Sequence, residues 1–341
     1  MQPPESTTWH HDCDITHTNT LRLPSRAQFF VAPRTLSSLR GCIARAHSEG
    51  RRITLLGGGS NVLLPPTLGG VAVRPALGQW WLERDGKHIR AYVGAGVNWH
   101  ALVMALAARG LWGIENLALI PGDCGAAPVQ NIGAYGVELA DVLTAVQVMS
   151  LADGKTRWLS RRECRFGYRD SAFKRELAGS VVITRLALEL SREPRPMLGY
   201  GDLAARVGKA PTALEVAQTV SAIRQEKLPD PQRLPNAGSF FKNPVIDEIT
   251  TQRLLAKYPD MPHFPQVSGG CKLAAGWLID RCGLKGQRFG AFGVHERQAL
   301  VLVHFGGGDR EGLKRAAEQV AGAVRERFGV TLEVEPRTIN A

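Results

Sequence analysis

The segment of residues 117–136, LALIPGDCGAAPVQNIGAYG, constrains the fold of this chain more than any other. It contains four glycines and two prolines, and Asp123 is its one charged residue. Because glycine and proline destabilise helix interiors, we predict an ordered, mostly buried loop. The backbone N–H and C=O groups of a buried loop need hydrogen-bond partners. Two interpretations stay open at this point: a cradle for a large polar cofactor, which glycine lets close to the backbone, and a turn packed on its own domain.

Length and composition indicate a globular protein of two or three domains. The chain has 341 residues, of which 44% are hydrophobic and 21% charged. No apolar run is long enough to span a membrane, so no membrane partner is expected. The first residues, MQPPESTTWHHDCDITHTNT, lack the features of a secretory signal and are expected to form a polar, weakly ordered tail. The six cysteines show no CxxC spacing and are expected to be reduced thiols in a cytoplasmic protein.

The net charge of +11 raises the question of nucleic-acid binding. Lysine and arginine are, however, interleaved with acidic residues, and no basic run with interspersed aromatic residues occurs. We therefore expect no nucleic-acid partner, and a basic surface equally favours capture of small anionic substrates. The histidines have no ligand spacing, so no metal is expected.

The pattern of apolar and polar residues predicts strands and a few helices around the glycine-rich centre, without regular βαβ alternation. The KLPDP segment at 227–231 marks a domain boundary. In the last predicted strand, Leu332 and Val334 are expected to share one face and Glu335 to point to the other. The predicted helices are 35–50, 98–110, 212–227, 273–282 and 309–328. The predicted strands are 53–56, 71–73, 89–93, 142–149, 181–190, 299–303 and 330–335.

Three glycines followed by Ser60 and Asn61 come directly after a predicted strand. Successive backbone N–H groups in such a turn can form a nest for phosphate. The dinucleotide-binding fingerprint is incomplete here, so we do not expect a Rossmann dehydrogenase. The alternative interpretation of the three glycines is a tight hairpin-like turn.

Three further residues are candidates for chemistry. Arg169, in CRFGYRDS, suits a bidentate clamp on a carboxylate or phosphate, although a surface Arg–Asp pair is the alternative. Ser239, in NAGSFFKNP, is a candidate nucleophile or proton donor, and the cap of a turn is the alternative. The G-x-S-x-G elbow is absent, which argues against an α/β-hydrolase. Glu335, near the end of the last predicted strand, is by its position alone expected to be solvated.

Taken together, ten motifs in order along the chain resemble the family of flavin-dependent UDP-N-acetylenolpyruvoylglucosamine reductases, also called UDP-N-acetylmuramate dehydrogenases. The YGDL motif is similar to that of the subclass with a tyrosine-bearing substrate loop. The motifs are Asn19-Thr20, GGGSNVL (57–63), NLALIPG (116–122) with PVQNIGAYGVEL (128–139), ECRFGYRDS (163–171), YGDL (200–203), KLPDP (227–231), NAGSFFKNP (236–244), KLAAGWLID (272–280), HERQALVLV (295–303) and LEVEPR (332–337).

The resemblance implies an α+β fold: a vanillyl-alcohol-oxidase-type FAD-binding fold of two subdomains, followed by a C-terminal α+β substrate-binding domain. We expect the tail at 1–18, FAD-binding subdomains at 19–76 and 77–228, and the substrate-binding domain at 229–341. The last strand, at 330–337, is expected to return to the flavin site.

The resemblance also implies a reaction. NADPH reduces FAD, and the flavin then passes hydride to UDP-N-acetylglucosamine enolpyruvate, giving UDP-N-acetylmuramate for peptidoglycan synthesis. The protein is expected to be a cytoplasmic monomer. The alternatives are another oxidoreductase of the same flavin fold, acting on an alcohol or sugar, and a basic nucleic-acid-binding protein without catalysis.

By the same resemblance, Arg169 stabilises the charge that develops on the substrate carboxylate, Glu335 helps polarise that carboxylate, and Ser239 donates a proton. Tyr168 is expected beside the reacting group. The other substrate-binding residues implied are Tyr200, Lys227, Asn243 and Gln298. The FAD-binding residues implied are Gly57, Gly58, Gly59, Ser60, Asn61, Val62, Ile120, Pro121, Gly122, Gly125, Ala126, Ala127, Gln130, Asn131, Ile132, Gly133, Ala134, Tyr135, Arg224 and Arg337.

The chain departs from the family pattern at Ala126-Ala127, where members often carry small hydroxyl residues. We therefore expect either that backbone N–H groups serve the flavin phosphate at this position or that flavin affinity is lower than in relatives.

Overall fold

The structure, a computed structural model, describes residues 7–86, 88–266 and 269–340. Helices and strands are mixed along the chain, as the sequence predicts. The α-helices are α1 (Leu36–Ser48), α2 (Trp99–Ala107), α3 (Leu139–Val142), α4 (Leu203–Arg206), α5 (Ala213–Lys227), α6 (Glu248–Lys257), α7 (Ala275–Arg281) and α8 (Arg310–Phe328). The strands are β1 (His10–Asp14), β2 (Arg26–Val31), β3 (Ile53–Leu55), β4 (Val62–Leu63), β5 (Thr67–Val73), β6 (Trp80–Asp85), β7 (His88–Gly94), β8 (Gly133–Ala134), β9 (Val137–Glu138), β10 (Leu143–Ser150), β11 (Thr156–Ser160), β12 (Val181–Leu190), β13 (Asn236–Ser239), β14 (Val245–Ile246), β15 (His263–Pro265), β16 (Cys271–Leu273), β17 (Arg288–Phe289), β18 (Phe292–Val294), β19 (Val301–His304) and β20 (Arg337–Thr338).

The chain divides into two compact units. The first contains the described residues up to Cys13, then Ala27–Gly58 and Gly69–Glu226. The second contains Asp14–Arg26, Gly59–Leu68 and the chain from Lys227 onward. The domain boundaries expected from the sequence stay a prediction.

The first unit has two hydrophobic cores. The smaller core lies between α1 and a four-stranded sheet in the order β1-β2-β5-β3, where Leu39 and Ile43 pack with Val71. Thr35 and Ser38 form a capping box at the start of α1, which begins where the sequence predicts a helix. The larger core packs α2 and α5 against an antiparallel sheet in the order β11-β10-β12-β7-β6. Two cores in one unit agree with the two-subdomain flavin fold.

The glycine-rich loop belongs to the larger core. It forms no α-helix; it contains the end of the 3-10 helix Glu115–Leu117, the 3-10 helix Cys124–Gln130 and the two-residue strand β8. Its backbone bonds to the segment between β7 and α2: Gly125 N–H donates to the Ala95 carbonyl at 2.8 Å, and Trp99 N–H donates to the Gly122 carbonyl at 3.0 Å. The loop is ordered, and part of its backbone is satisfied by its own domain. Of its 20 residues 8 are buried, 10 are half-buried and 2 are exposed, so the prediction of a mostly buried loop holds only in part.

The second unit is built around one core of its own. Its main sheet has the order β13-β19-β18-β17, and its smaller sheets are β14-β16-β15 and the parallel pair β20-β4. Phe240, Phe241 and Phe292 are buried in the core with the apolar face of α8. That helix begins after Asp309, whose side chain accepts from Gly312 N–H, and ends at Gly329 in the left-handed conformation.

Two predictions near the chain ends need correction. Residues 10–14, expected in a weakly ordered tail, form strand β1; residues 1–6 lie outside the described part. The predicted strand 330–335 is reduced to one bridge between Val334 and Phe241, followed by β20. Val334 is 41% exposed whereas Leu332 is buried, so they do not share a face. Tertiary pairing with the 240–242 segment, through the Glu335 N–H to Phe240 C=O bond of 2.9 Å, outweighs the local alternation.

Helix α6 was not predicted from the sequence. Its only buried residues are Thr251 and Leu254, so the sequence lacks the apolar stripe that would predict an amphipathic helix. Among the described residues, no helix has the length and apolar character needed to cross a bilayer.

Candidate active site

Two glycine segments meet closely in the first unit. A Cβ atom on Gly58 would lie 2.8 Å from the Gly122 Cα atom, and one on Gly57 would lie 3.0 Å from the Ala126 Cβ atom. A Cβ atom on Gly125 would lie 2.6 Å from the Ala95 Cβ atom. Glycine is therefore required where these segments touch, since no larger residue fits without moving backbone. Residues predicted from separate motifs to bind the cofactor are neighbours here.

An ion pair that sequence reasoning missed holds this junction. Asp123 is buried in the loop, and its Oδ2 atom lies 3.0 Å from Arg74 Nη2. Burial raises the pKa of the Asp123 carboxyl, and Arg74 acts in the opposite direction. A buried carboxylate is costly unless it is paired, so Arg74 stabilises the charged form. No local pattern could reveal a pair so distant in sequence.

The Ala126 N–H group donates to the Asp123 carbonyl at 3.0 Å, within the 3-10 turn. The backbone donor that was expected to serve a flavin phosphate at Ala126 thus already has an acceptor in the protein.

The segment that carries Arg169 is a tight hairpin. Gly167 and Asp170 exchange backbone hydrogen bonds of 3.0 and 3.2 Å across the turn. The hairpin is docked on the glycine-rich loop by three side-chain bonds. They are Asn131 Nδ2 to the Gly167 carbonyl at 3.2 Å, Arg169 Nη2 to the Gly133 carbonyl at 3.1 Å, and Ser171 Oγ to the Val129 carbonyl at 2.7 Å.

Backbone strain is concentrated in this region. Of the seven non-glycine residues with positive φ in the described part of the chain, five lie in the loop and the Arg169 segment. They are Leu119, Asn131, Tyr135, Arg165 and Arg169. The left-handed conformation costs such residues roughly 1–3 kcal/mol each and persists only where surrounding contacts enforce it. Clustering of this kind is typical of functional sites.

Arg224 lies close enough to Arg169 for the two charges to interact. Helix α5 supplies it, and its buried Nε atom has no hydrogen-bond partner among the described residues. Burial lowers the pKa of Arg224, while interaction with Tyr135 raises it and with Arg169 lowers it. A buried guanidinium donor without a partner among the described residues, close enough to Tyr135 and Arg169 to interact with their charges, fits an anionic group with many acceptor atoms, such as FAD.

His100 is a functional candidate that the sequence did not single out. Its Nδ1 atom accepts the Leu119 N–H at 3.0 Å and so supports that left-handed residue. Burial, then the charge of Arg224, lower the pKa of His100, which favours the neutral ring. Tyr135 and Tyr200 are in edge-to-face contact at 5.5 Å between ring centroids, and burial raises the pKa of Tyr135.

The second unit brings two predicted catalytic residues together. Ser239 ends β13 and pairs with Val301 of β19, and the next residue, Phe240, accepts from Glu335 N–H at 2.9 Å. Ser239 and Glu335 are both half-buried, whereas Phe240 and Phe241 are buried anchors. The two buried phenylalanines thus fix the backbone next to Ser239.

Other predicted binding residues also lie in the second unit. Arg337 pairs with Val62 in the β20-β4 ladder, and its N–H donates to the Asn61 carbonyl at 3.0 Å. In this unit a Cβ atom on Gly59 would lie 1.7 Å from the Thr18 carbonyl oxygen, so only glycine fits there.

Asn243 and Gln298 both lie near the start of α7. Asn243 Oδ1 accepts the Ala275 N–H at 3.0 Å, and Gln298 Oε1 would be 3.3 Å from a Cβ atom on Gly276. His295, which sequence reasoning left unassigned, accepts at Nδ1 from the N–H of Gln298 at 3.3 Å. Burial lowers the pKa of His295, so the acceptor form is favoured.

Neither metal nor thiol chemistry has support in this geometry. Within the described ranges, no cluster of three His, Cys, Asp or Glu residues could hold a metal ion. Burial raises the pKa of Cys124 far above its usual range and that of Cys164 to about 12. Both thiols therefore stay protonated and act as small packing residues.

Comparison with known proteins agrees with both units. A family model described as FAD binding domain matches residues 27–160, and one described as UDP-N-acetylenolpyruvoylglucosamine reductase, C-terminal domain, matches residues 230–339. The chain is similar to the UDP-N-acetylenolpyruvoylglucosamine reductase of Chromobacterium violaceum, with 46% identity over 95% of this chain and 97% of the relative. The same-named protein of Bordetella pertussis is 47% identical over 96% of this chain and 94% of the relative.

Solved structures show that the fold is shared with a known reductase and a known oxidase. The UDP-N-acetylenolpyruvylglucosamine reductase of Thermus caldophilus superposes with a TM-score of 0.67 at 25% identity, covering 98% of this chain and 99% of that chain. The 6-hydroxy-D-nicotine oxidase of Arthrobacter nicotinovorans reaches a TM-score of 0.55 at 16% identity, covering 97% of this chain and 88% of that chain. At that identity the second match shows the fold alone.

Proposed function

The chain belongs to the UDP-N-acetylenolpyruvoylglucosamine reductase family, and we propose that Arg169, Ser239 and Glu335 are the residues that carry its chemistry. The protein is an FAD-dependent oxidoreductase that uses NADPH to reduce UDP-N-acetylglucosamine enolpyruvate to UDP-N-acetylmuramate, a precursor of peptidoglycan. The observation that carries the residue assignment is the docking of the Arg169 hairpin on the glycine-rich loop.

The cofactor site is proposed from the fit described above. When bound, FAD would supply the hydride-transfer chemistry between NADPH and the enolpyruvyl group. Gly57, Gly58 and Gly122 give the close-packed turns of the cradle, and Arg224 offers a buried Nε donor that has no partner among the described residues. Desolvation strengthens the pull of such a cation on a developing negative charge.

Arg169 has the properties that the substrate carboxylate requires. Hydride addition at one carbon of the enolpyruvyl group makes an enolate-like charge that spreads onto the carboxylate, and a fixed cation stabilises it. The Arg169 guanidinium is planar and bonded to the Gly133 carbonyl, so it is oriented before the charge develops. Glu335, on a segment tied to Phe240, is proposed to polarise the same carboxylate.

Ser239 is proposed to donate the proton to the carbon next to the reduced one. Its backbone is fixed by the β13–β19 ladder and by the buried Phe240. A serine hydroxyl is a weak acid, so the proton donor needs a neighbouring group to resupply its proton. Lys227 or a water molecule is proposed for that role.

The remaining assignments concern the nucleotide-sugar. Tyr200, Lys227, Asn243 and Gln298 are proposed to hold the diphosphate, and Tyr168, which is 37% exposed, to lie beside the reacting group. The contact of Tyr200 with Tyr135 supports membership of the subclass with a tyrosine-bearing loop. We further propose a cytoplasmic monomer, whose net positive charge assists capture of the anionic substrate.

Separate measurement of the two half-reactions tests the assignment. Ser239→Ala is expected to slow reoxidation of the reduced flavin by the enolpyruvyl nucleotide by about 10²-fold or more, and to leave flavin reduction by NADPH within about twofold. Equal slowing of both steps would remove Ser239 from the donor role.

Arg169→Lys tests the proposed role of Arg169 in the same assay. It keeps the charge but loses the planar fork, so we expect reoxidation to slow by about 10²-fold. Normal reoxidation in this variant would show that Arg169 does not act on the carboxylate.

A further inference from the structure

The Arg169 backbone has a conformation that its side chain disfavours. Arg169 is the third residue of the four-residue turn Gly167–Asp170, and its φ is +53°. An L-residue with a Cβ atom loses roughly 1–2 kcal/mol in this left-handed region, which is why glycine usually occupies such positions. A contact must therefore hold the Arg169 peptide in place.

Besides the two backbone bonds that close the turn, Lys174 contacts the Arg169 peptide directly. Its Nζ atom donates to the Arg169 carbonyl oxygen at 2.8 Å, and both residues are half-buried. A hydrogen bond from an ammonium group is roughly twice as strong as a neutral one. The direction of the Arg169 carbonyl relative to the Cα–Cβ bond depends on the ψ torsion of Arg169. A bond that holds the carbonyl therefore also restrains the direction in which the side chain leaves the backbone.

The base from which Lys174 extends is itself rigid. Lys174 ends the 3-10 helix Ala172–Lys174, which Ser171 caps by accepting the Phe173 N–H at 3.2 Å. Phe173 is buried in the larger core. Ser171 Oγ also donates to the Val129 carbonyl, so the base of the lysine is tied to the glycine-rich loop.

Two other contacts near Arg169 act on different atoms. Asp170 pairs with Arg175 at 2.7 Å, which holds the far end of the turn. The Arg169 guanidinium bonds to the Gly133 carbonyl, which holds the tip of the side chain. Lys174 acts at the carbonyl between them and so restrains the peptide plane that directly follows the strained φ torsion of Arg169.

We propose that Lys174 is a positioning residue that holds Arg169 in its left-handed backbone conformation and thereby aims the guanidinium at the substrate carboxylate. The proposal rests on the role proposed above for Arg169. Without Lys174, the Arg169 backbone relaxes toward ordinary torsions and displaces the guanidinium. A displacement of about 1 Å at a catalytic group can cost about 10²-fold in rate.

The test is stopped-flow kinetics of both half-reactions in the full-length flavoprotein. In Lys174→Met we expect reoxidation by UDP-N-acetylglucosamine enolpyruvate to slow by about 10- to 100-fold, and flavin reduction by NADPH to change by less than about twofold. Lys174→Arg keeps a cationic donor and is expected to recover most of the reoxidation rate. Lys155→Met is the matched control, because Lys155 is a solvent-exposed lysine of the same unit that pairs with Asp153.

Hydrogen exchange supplies a readout outside catalysis. The Gly167 and Asp170 amides close the turn, and they are expected to exchange faster in Lys174→Met than in Lys155→Met. Normal reoxidation in Lys174→Met, equal slowing of both half-reactions, or no recovery in Lys174→Arg would each overturn the proposal. If Lys174→Met does not yield folded flavoprotein, Lys174→Gln, which retains a shorter neutral donor, takes its place in the same comparison.

Arg169→Met separates this proposal from the one on which it rests. If Arg169→Met leaves reoxidation unchanged, the proposed role of Arg169 fails. If Arg169→Met slows reoxidation but Lys174→Met does not, only the positioning role fails. Because Lys174 acts through Arg169, adding Lys174→Met to Arg169→Met should cause no further slowing, and an additive loss would contradict the proposal.

Discussion

At the scale of single residues, the site depends on groups that must be small or strained. Gly133 lets Arg169 approach the loop, since a Cβ atom there would lie 3.2 Å from Arg169 Nη1 and 3.2 Å from the Val137 carbonyl oxygen. Arg169, in turn, keeps a left-handed backbone at an energetic cost. Neither property is visible in the residue types alone, because both arise from contact between segments.

Gly133→Ala tests the space around Arg169. The new methyl group presses on a backbone carbonyl that cannot move freely, so we expect the guanidinium to shift and flavin reoxidation to slow by about 10-fold. Reduction by NADPH serves as the internal reference. Gly41→Ala in α1 is the matched control, because a Cβ atom there meets nothing within 4 Å. Unchanged reoxidation in Gly133→Ala would show that the loop absorbs the methyl group.

The lowered pKa of His100 predicts a pH dependence of stability. Between its folded-state pKa and the ordinary value of 6.5, the unfolded chain binds more protons than the folded one. The contribution of His100 to the free energy of unfolding should therefore rise with pH through this window and level off above about 6.5. As the pH falls through the window, that contribution is lost. His100→Asn keeps an acceptor for the Leu119 N–H but cannot titrate, so urea unfolding at several pH values should show a flatter slope. An unchanged slope would exclude His100 as a source of the dependence.

At the scale of elements, helix ends locate the functional loops. Asn98 caps α2 by accepting the Ala101 N–H at 2.9 Å, and Trp99 N–H at the same end donates to the Gly122 carbonyl. The start of α2 thus supports the glycine-rich loop directly. Asp309 makes a cap of the same kind on α8, in the second unit.

The two caps form a matched pair of tests. Asn98→Ala and Asp309→Ala should each lower the free energy of unfolding by about 1 kcal/mol, because each leaves a helix N–H without its acceptor. Only Asn98→Ala is expected to weaken FAD binding, by severalfold, since only that cap adjoins the loop. Urea unfolding and flavin titration of the apoprotein measure the two effects. Equal FAD affinity in both variants would contradict a role for α2 in shaping the cradle.

At the scale of the whole molecule, stability and cofactor binding are linked. A ligand that binds only the folded state stabilises it by about 2.7 kcal/mol at a free concentration 100 times its Kd. The buried Arg224 Nε atom has no partner among the described residues, so the folded apoprotein bears a desolvation cost, which we propose that FAD relieves.

Arg224→Met should therefore have opposite effects on the two forms. We expect the melting temperature of the apoprotein to stay equal or rise, because an unsatisfied buried donor is removed. We expect FAD to bind at least about 10-fold more weakly, so the cofactor adds less thermal stability. Thermal melts of apo and reconstituted protein test this. A loss of apoprotein stability would show that Arg224 supports the fold by itself.

The sequence by itself determined the local structure and the family of this protein. The caps at Thr35 and Asn98, the capping box of Thr212 and Glu215, and the bounds of α8 follow from hydrogen bonds between residues three positions apart. The ordered motifs predicted the flavin fold and the reductase family, which the comparisons confirm. Tertiary structure alone decided the Arg74–Asp123 pair, the docking of the Arg169 hairpin, and the loss of the predicted strand 330–335. The physical reason is distance along the chain: a cap depends on its neighbours, whereas these contacts join segments dozens of residues apart whose meeting depends on how the whole core packs.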